Sequence, residues 1–471
     1  MDIRVRLSRR GLLRAGAQAS AGAIGLGSLA ACGPQQAAAP VLGPSPTVIR
    51  WAPWGGWPAY AGPNWPQFVQ PAIDVFQQQN PGLKIKIEGP GGGGSFVPQI
   101  LAGTAPDVFQ DWAIAQYRAG GLVLDVSRYI QQDNLNYAIW SPGQMNAMRD
   151  EEGTWFLPCY VHVNAMAINL SALDALGLTY PAQDWTHIQA AQLFAAATGS
   201  SGGKHRYGYS PAFPGPNLGD PNSTCSYVFH LFGGAMVDAT RGQTEVGQTN
   251  SYQGVQWLDQ LYWEKIAVSG GGLAGVPFCE VGSNALVNYL KAWQDNFKWT
   301  FFPVPNFPAG QYSFEATDYY AINAQTKHPD ESWTFLRYLS AEPAWSRWCM
   351  KHLLRTPSII SLWPEYVQTV EAVAPLVKGK GLQWFTEAAA KWGVANRIFK
   401  YSHVNAINTL NVQLGKAFAQ TESVALAMTS AARQVDALET AAAQTSSRMS
   451  SLQQQFPAAG GQTVAQVQPG L

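Results

Sequence analysis

Apolar and polar positions change their period in a regular order along this chain. Val48-Ile49-Arg50-Trp51 reads as a buried strand, and Leu83-Lys84-Ile85-Lys86-Ile87-Glu88 alternates as a half-exposed one. Between them Phe68, Ala72 and Phe76 recur at helical spacing until the breaker Asn80-Pro81-Gly82. A glycine loop at residues 89–94, a second helix and a short strand at Asp107-Val108-Phe109 follow, the helix being stopped by Gly103 and Pro106. Ile188, Ala191 and Ala195 predict a further helix, and Val424, Met428, Ala431, Val435 and Leu438 a long one. Strands alternating with helices predict an α/β fold with mixed, mostly parallel sheets covered by helices. At 471 residues the chain is too long for a typical single domain, so two large lobes or three domains are expected.

The third strand is the first place where this pattern turns toward chemistry. Asp111 and Trp112 stand at its carboxyl end, where open α/β sheets hold their ligands. A carboxylate beside an indole suits a ligand with hydroxyls and an apolar face, such as a sugar ring. The plainer alternative makes Asp111 a helix cap and Trp112 a core residue. Composition sharpens the question, because only 13% of residues are charged while 18 are tryptophan. Several of these stand beside Gly, Pro or Asn in predicted loops, where an exposed indole calls for a function.

Other motifs lead nowhere on inspection. Residues 89–94 satisfy G-x-G-x-x-G, but they follow the second strand, and Pro90 lacks a backbone donor, which argues against a dinucleotide site. Ser201 in Gly199-Ser200-Ser201-Gly202-Gly203 follows a helix instead of a strand, so it is no nucleophile elbow. Seven histidines occur without H-E-x-x-H, so no metal, cofactor or catalytic residue is expected. Asp111, Glu315 and Asp318, or the run Asp150-Glu151-Glu152, could supply the two acids of a secreted glycoside hydrolase. The run beside Gly153 reads as an exposed turn of solvated charge.

The amino terminus, Ser8-Arg9-Arg10-Gly11-Leu12-Leu13-Arg14 and then a short apolar run ending Leu29-Ala30-Ala31-Cys32, resembles a twin-arginine export signal joined to a bacterial lipobox. Residues 1–31 would be removed and Cys32 lipidated. Residues 32–46, rich in Ala, Gln, Pro and Ser, would be a tether. From Cys32 onward there are 25 basic and 29 acidic residues, a net charge of −4, which disfavours nucleic acid. No later apolar run could span a bilayer, so attachment rests on the lipid. Cys159, Cys225, Cys279 and Cys349 are widely spaced, and buried free thiols are expected over a disulfide.

Trp54-Gly55-Gly56, Phe76-Gln77-Gln78-Gln79-Asn80-Pro81-Gly82 and Ala102-Gly103-Thr104-Ala105-Pro106-Asp107-Val108 occur in that order. Further on come Gly153-Thr154-Trp155-Phe156-Leu157-Pro158, Gly282-Ser283-Asn284-Ala285-Leu286, Lys327-His328-Pro329-Asp330-Glu331-Ser332-Trp333 and Arg355-Thr356-Pro357. Over roughly residues 47–440 this succession resembles the extracytoplasmic solute-binding proteins of ABC importers, in the sugar-binding group that includes maltose-binding protein. The resemblance implies a monomer of two hinge-connected α/β lobes with the ligand between them. Crossings would fall near residues 161–165 and 300–305, with lobe one at 47–160 and 303–355, lobe two at 163–300 and 356–440, and a low-complexity tail at 441–471. It implies ligand contacts from Trp54, Gly56, Asp111, Trp112, Asp318 and Tyr319 on one wall. Tyr160, Asn164, Tyr227, Asn288 and Trp293 would come from the crossing and the other wall, Tyr227 and Trp293 being equally readable as core. The chain has Thr317-Asp318-Tyr319-Tyr320 where the family commonly has a glycine pair, which implies a narrower pocket. The expected role is capture of a mono- or oligosaccharide for a membrane permease. A polyol phosphate, a polyamine or another polar solute is the alternative ligand, and a hydrolase the alternative activity.

Overall fold

The computed structural model describes residues 45–54, 63–111, 114–212, 226–294, 296–394, 397 and 399–455. Gly56, Trp112, Cys32 and Cys225 lie outside them.

Two sheets organise the fold, each of mixed strand direction. The first runs β2 (Leu83–Ile87), β1 (Thr47–Ala52), β3 (Val108–Asp111), β12 (Tyr319–Ile322), β6 (Leu157–Pro158). Its β1, β2 and β3 are parallel, and β12 joins antiparallel with Tyr319 opposite Asp111. Helix α1 (Trp65–Gln79) covers it with Val69, Ala72, Ile73 and Phe76; of the predicted trio Ala72 and Phe76 are buried and Phe68 is half-buried at the edge of the stripe. Trp51 sits beneath, its ring edge-on to Phe335 at 5.6 Å and to Trp345 at 5.8 Å.

The second sheet is built around β7 (Tyr160–Asn169), a ten-residue strand. The path is β8 (Tyr209–Ser210), β9 (Phe278–Gly282), β7, β11 (Ser313–Ala316), β14 (Gly393–Val394), with β10 (Trp299–Phe302) and β13 (Thr356–Pro357) also pairing with β7. Alternation along β7 separates two cores, as period two requires. Val161, Val163, Ala165 and Ala167 face one, and Met166 and Ile168 the other.

The chain returns to the first sheet later than its sequence suggests. Residues 303–316 remain with the second lobe, because Asn306 N–H donates to Trp185 O at 2.8 Å, Phe307 and Phe314 enter that lobe's core, and β11 pairs with β7. The crossing is Thr317-Asp318, between β11 and β12, in place of residues 300–305. Helix α3 (His187–Ala197) also presents a different face from the one predicted: Ala190, Phe194 and Ala197 are buried, while Ile188 is exposed. The closing helix, α9 (Val424–Gln455), runs well past residue 441. Among the described tryptophans Trp263 alone is exposed, and Trp51, Trp140, Trp185, Trp293, Trp299 and Trp345 are fully buried, so most of the indole excess is core.

Candidate functional site

Three residues on one face of β7 form the floor of the candidate site. Tyr160, His162 and Asn164 share that face by strand alternation and span about 13 Å at roughly 3.3 Å per residue. His162 is the one residue of β7 that is not fully buried, so solvent reaches the strand there. Its ring stacks on that of Tyr160, with centroids 5.0 Å apart. Burial, with the Arg355 charge adding to it, holds the His162 imidazole well below the ordinary histidine range, and it is neutral. Its Nε2 is buried and has no hydrogen-bond partner among the described residues.

Each end of the floor carries a buried acid held by phenols. At the lobe-one end the Tyr160 hydroxyl donates to Asp318 at 2.5 Å and accepts from Gln110 Nε2 at 3.2 Å, while Gln110 Oε1 accepts from Trp54 N–H at 3.2 Å. The Arg355 guanidinium lies over the Tyr160 ring, 4.8 Å from its centre. Burial pushes the Asp318 carboxyl up, opposed by the Tyr160 hydrogen bond and the Arg355 charge. At the lobe-two end Glu280 accepts from Asn164 Nδ2 at 2.8 Å, Tyr227 OH at 2.9 Å and Tyr209 OH at 3.0 Å. Burial likewise raises Glu280, with the same three donors opposing it. A recess beside Glu280 is lined by Tyr209, Tyr227, Trp257, Phe307 and Tyr312.

The other sequence candidates have separate places. Asp111 is buried beneath the glycine loop, accepting from Gly93 N–H at 2.8 Å, Gly94 N–H at 3.1 Å and Tyr117 OH at 2.5 Å. Gly93 and Gly94 have φ of 64° and 84°, a left-handed backbone that favours glycine, which gives this glycine run an anchoring role. Tyr319 is buried in the lobe-one core near Phe156. Trp293 packs in a core of lobe two, stacked on Tyr289 at 5.1 Å and edge-on to Trp299 at 5.0 Å. Asn288 is exposed on α5 (Leu286–Trp293). Gln110, His162, Glu280 and Arg355 escaped the sequence reading. For His162 a signal existed: if Tyr160 and Asn164 share a strand face, period two puts residue 162 between them.

Glu315 is set apart from this floor. Its carboxyl is buried between Ser141, which donates to it, and the backbone of Gly143 and Gly393, where an added Cβ would sit 2.2 and 1.9 Å from Oε2. Asp111, Glu315 and Asp318 therefore stand in three different environments, each fully buried.

Two lobes, a long shared strand and polar clusters meeting at the crossing are the features of a hinged binding protein. Residues 59–344 match the model of the bacterial extracellular solute-binding proteins. The chain belongs to that family. Membership implies an extracytoplasmic location and a binding role. Solved structures share the fold at low identity. A cyclic alpha-maltosyl-1,6-maltose binding protein from Arthrobacter globiformis has a TM-score of 0.67 at 15% identity, covering 84% of this chain and 99% of that one. An ABC substrate-binding protein from Listeria monocytogenes in complex with cycloalternan has 0.66 at 16%, covering 83% and 98%. The sugar-binding protein MalE from Xanthomonas citri has 0.65 at 16%, covering 88% and 100%. No curated protein matches the chain significantly.

Proposed function

We propose that this family member is the substrate-binding lipoprotein of an ABC importer, capturing a mono- or oligosaccharide between its lobes and delivering it to a membrane permease. The observation that carries the reading is the β7 floor, where a neutral imidazole and an aromatic ring lie between two acids already held by hydroxyl and amide donors. Hydroxyl-rich, uncharged ligands suit such a floor, since they exchange hydrogen bonds with neutral and anionic groups and lay their apolar faces on rings. A polyamine would want free carboxylates and a phosphate a free cation. Here Glu280 has three donors and Arg355 is occupied by the Tyr160 ring and the Asn284 carbonyl. Trp54 and Asn288, together with Trp112 and Gly56, which lie outside the described residues, complete the proposed contacts. Capture fits better than cleavage because Asp111, Glu315 and Asp318 are buried and separately occupied. Cys32 is the proposed lipid anchor.

A thermal-shift screen with tagatose, maltose, maltotriose and mannotriose tests this reading, since a ligand at a hundred times its dissociation constant adds about 2.7 kcal/mol to stability. A rise in melting temperature without release of new reducing ends is expected. No shift with any of these sugars, or turnover of one of them, would overturn the assignment.

A further inference from the structure

Away from the floor, the acidic run beside Gly153 is only in part the solvated turn expected of it: Glu151 and Glu152 are exposed in a turn, and Asp150 is not. Asp150 lies in β4 (Arg149–Asp150), which pairs with β5 (Gly153–Thr154) in a lobe-one hairpin, and its side chain is only 1% exposed. Its Oδ2 is shared by two arginines: Arg118 Nε at 2.9 Å, from helix α2 (Ile114–Ala119) of lobe one, and Arg241 Nη2 at 3.2 Å, from lobe two. Lys400, also of lobe two, reaches Glu151 at 2.7 Å and Glu152 at 2.9 Å.

Both halves are organised in advance. In lobe one, Arg118 lies 4.0 Å over the Trp155 ring and also pairs with Glu152, and Trp155 Nε1 donates to Asp150 Oδ1 at 3.1 Å. In lobe two, Lys400 N–H donates to Arg241 O at 3.1 Å, tying the two cations together. Arg241 keeps a left-handed backbone, φ 59°, that few side chains adopt, and its side chain is 7% exposed. Burial pushes the Asp150 carboxyl up, yet hydrogen bonds from Trp155 and Arg118 outweigh it and hold the group below its ordinary range.

We propose that these residues form an ionic latch that holds the two lobes together on the side of α2, independently of ligand. A buried carboxylate shared by cations from both lobes loses a partner when the lobes part, and the freed charges must be resolvated. The exposed pairs with Lys400 add a contribution that salt screens. Opening and closing are then set by charge as well as by ligand contacts.

Small-angle scattering on the ligand-free protein tests this at about 0.05 M and about 0.5 M salt, where the Debye length is about 14 Å and about 4 Å. Lys400→Glu should increase the radius of gyration at low salt, as should the double variant Glu151→Lys/Glu152→Lys. Combining all three reversals should return it toward wild type, and high salt should expand the wild type alone. Circular dichroism checks the fold, and if the double variant misfolds, Lys400→Glu and the salt series carry the test. A radius of gyration unchanged by Lys400→Glu and by salt, in natively folded protein, would overturn the latch. With no ligand present, this outcome is independent of the sugar screen, and either proposal can fail while the other stands.

Discussion

Replacing Glu315 by Gln should remove a pH-dependent weakness from the strand beside the hinge. The Glu315 carboxyl is fully buried, receives hydrogen bonds from Ser141 and the Gln144 backbone, and has no cation beside it among the described residues. Burial pushes it from 4.5 up to about 8, with those two donors opposing the rise. Folding therefore favours the protonated acid. The stability it contributes is complete below the unfolded value near 4.5 and is lost as pH rises through about 8. At about 1.4 kcal/mol per pKa unit, the full swing is on the order of 5 kcal/mol, an upper bound because relaxation and water entry reduce it. Gln keeps the shape and carries no charge. Urea unfolding should show the two proteins similar near pH 5, while near pH 8.5 the Gln variant should be more stable by about 3 kcal/mol. If the two stability profiles run parallel from pH 5 to 8.5, Glu315 does not sit protonated in the fold and this account of the socket is wrong.

Other substitutions probe the same architecture. Gly393→Ala places a methyl group 1.9 Å from Glu315 Oε2 and should lower urea-derived stability by about 1–3 kcal/mol; no loss would mean the socket is looser than it stands here. Trp293→Ala should lose about 3–5 kcal/mol of stability while the folded fraction keeps its sugar affinity by calorimetry, because the indole is core. Tyr160→Phe leaves buried Asp318 without its phenol and should reduce both stability, by about 1–3 kcal/mol, and binding. His162→Leu should weaken sugar binding about tenfold, one hydrogen bond's worth, with the ligand-free melting temperature little changed; an unaltered dissociation constant would remove His162 from the floor.

How much of this was readable beforehand depends on how local the information is. The opening β-α-β unit, the helix ending at Asn80-Pro81-Gly82 and the long closing helix were legible because period, breakers and propensity act within a few residues. The family was legible because short motifs kept their order over a long span. The buried face of α3 was not, since Ala191 and Ala195 offer no contrast with the alanines beside them, and only the packing of Phe194 decides which side turns inward. The second crossing was missed because a hairpin held by Trp185 keeps residues 303–316 with lobe two, a contact more than a hundred residues long in sequence. Asp111 looked like a free carboxylate until the fold brought Gly93 and Gly94 onto it. Glu280 is an unremarkable acid in the chain, and Asp150-Glu151-Glu152 an ordinary polar turn. Their partners Asn164, Tyr209, Tyr227, Arg241 and Lys400 lie far away in sequence, and a buried charge has a meaning only once those partners are in place. Sequence thus determined the elements and the family, through short-range periodicity. Tertiary structure alone decided which acids were spent on holding the fold and which met across the lobes.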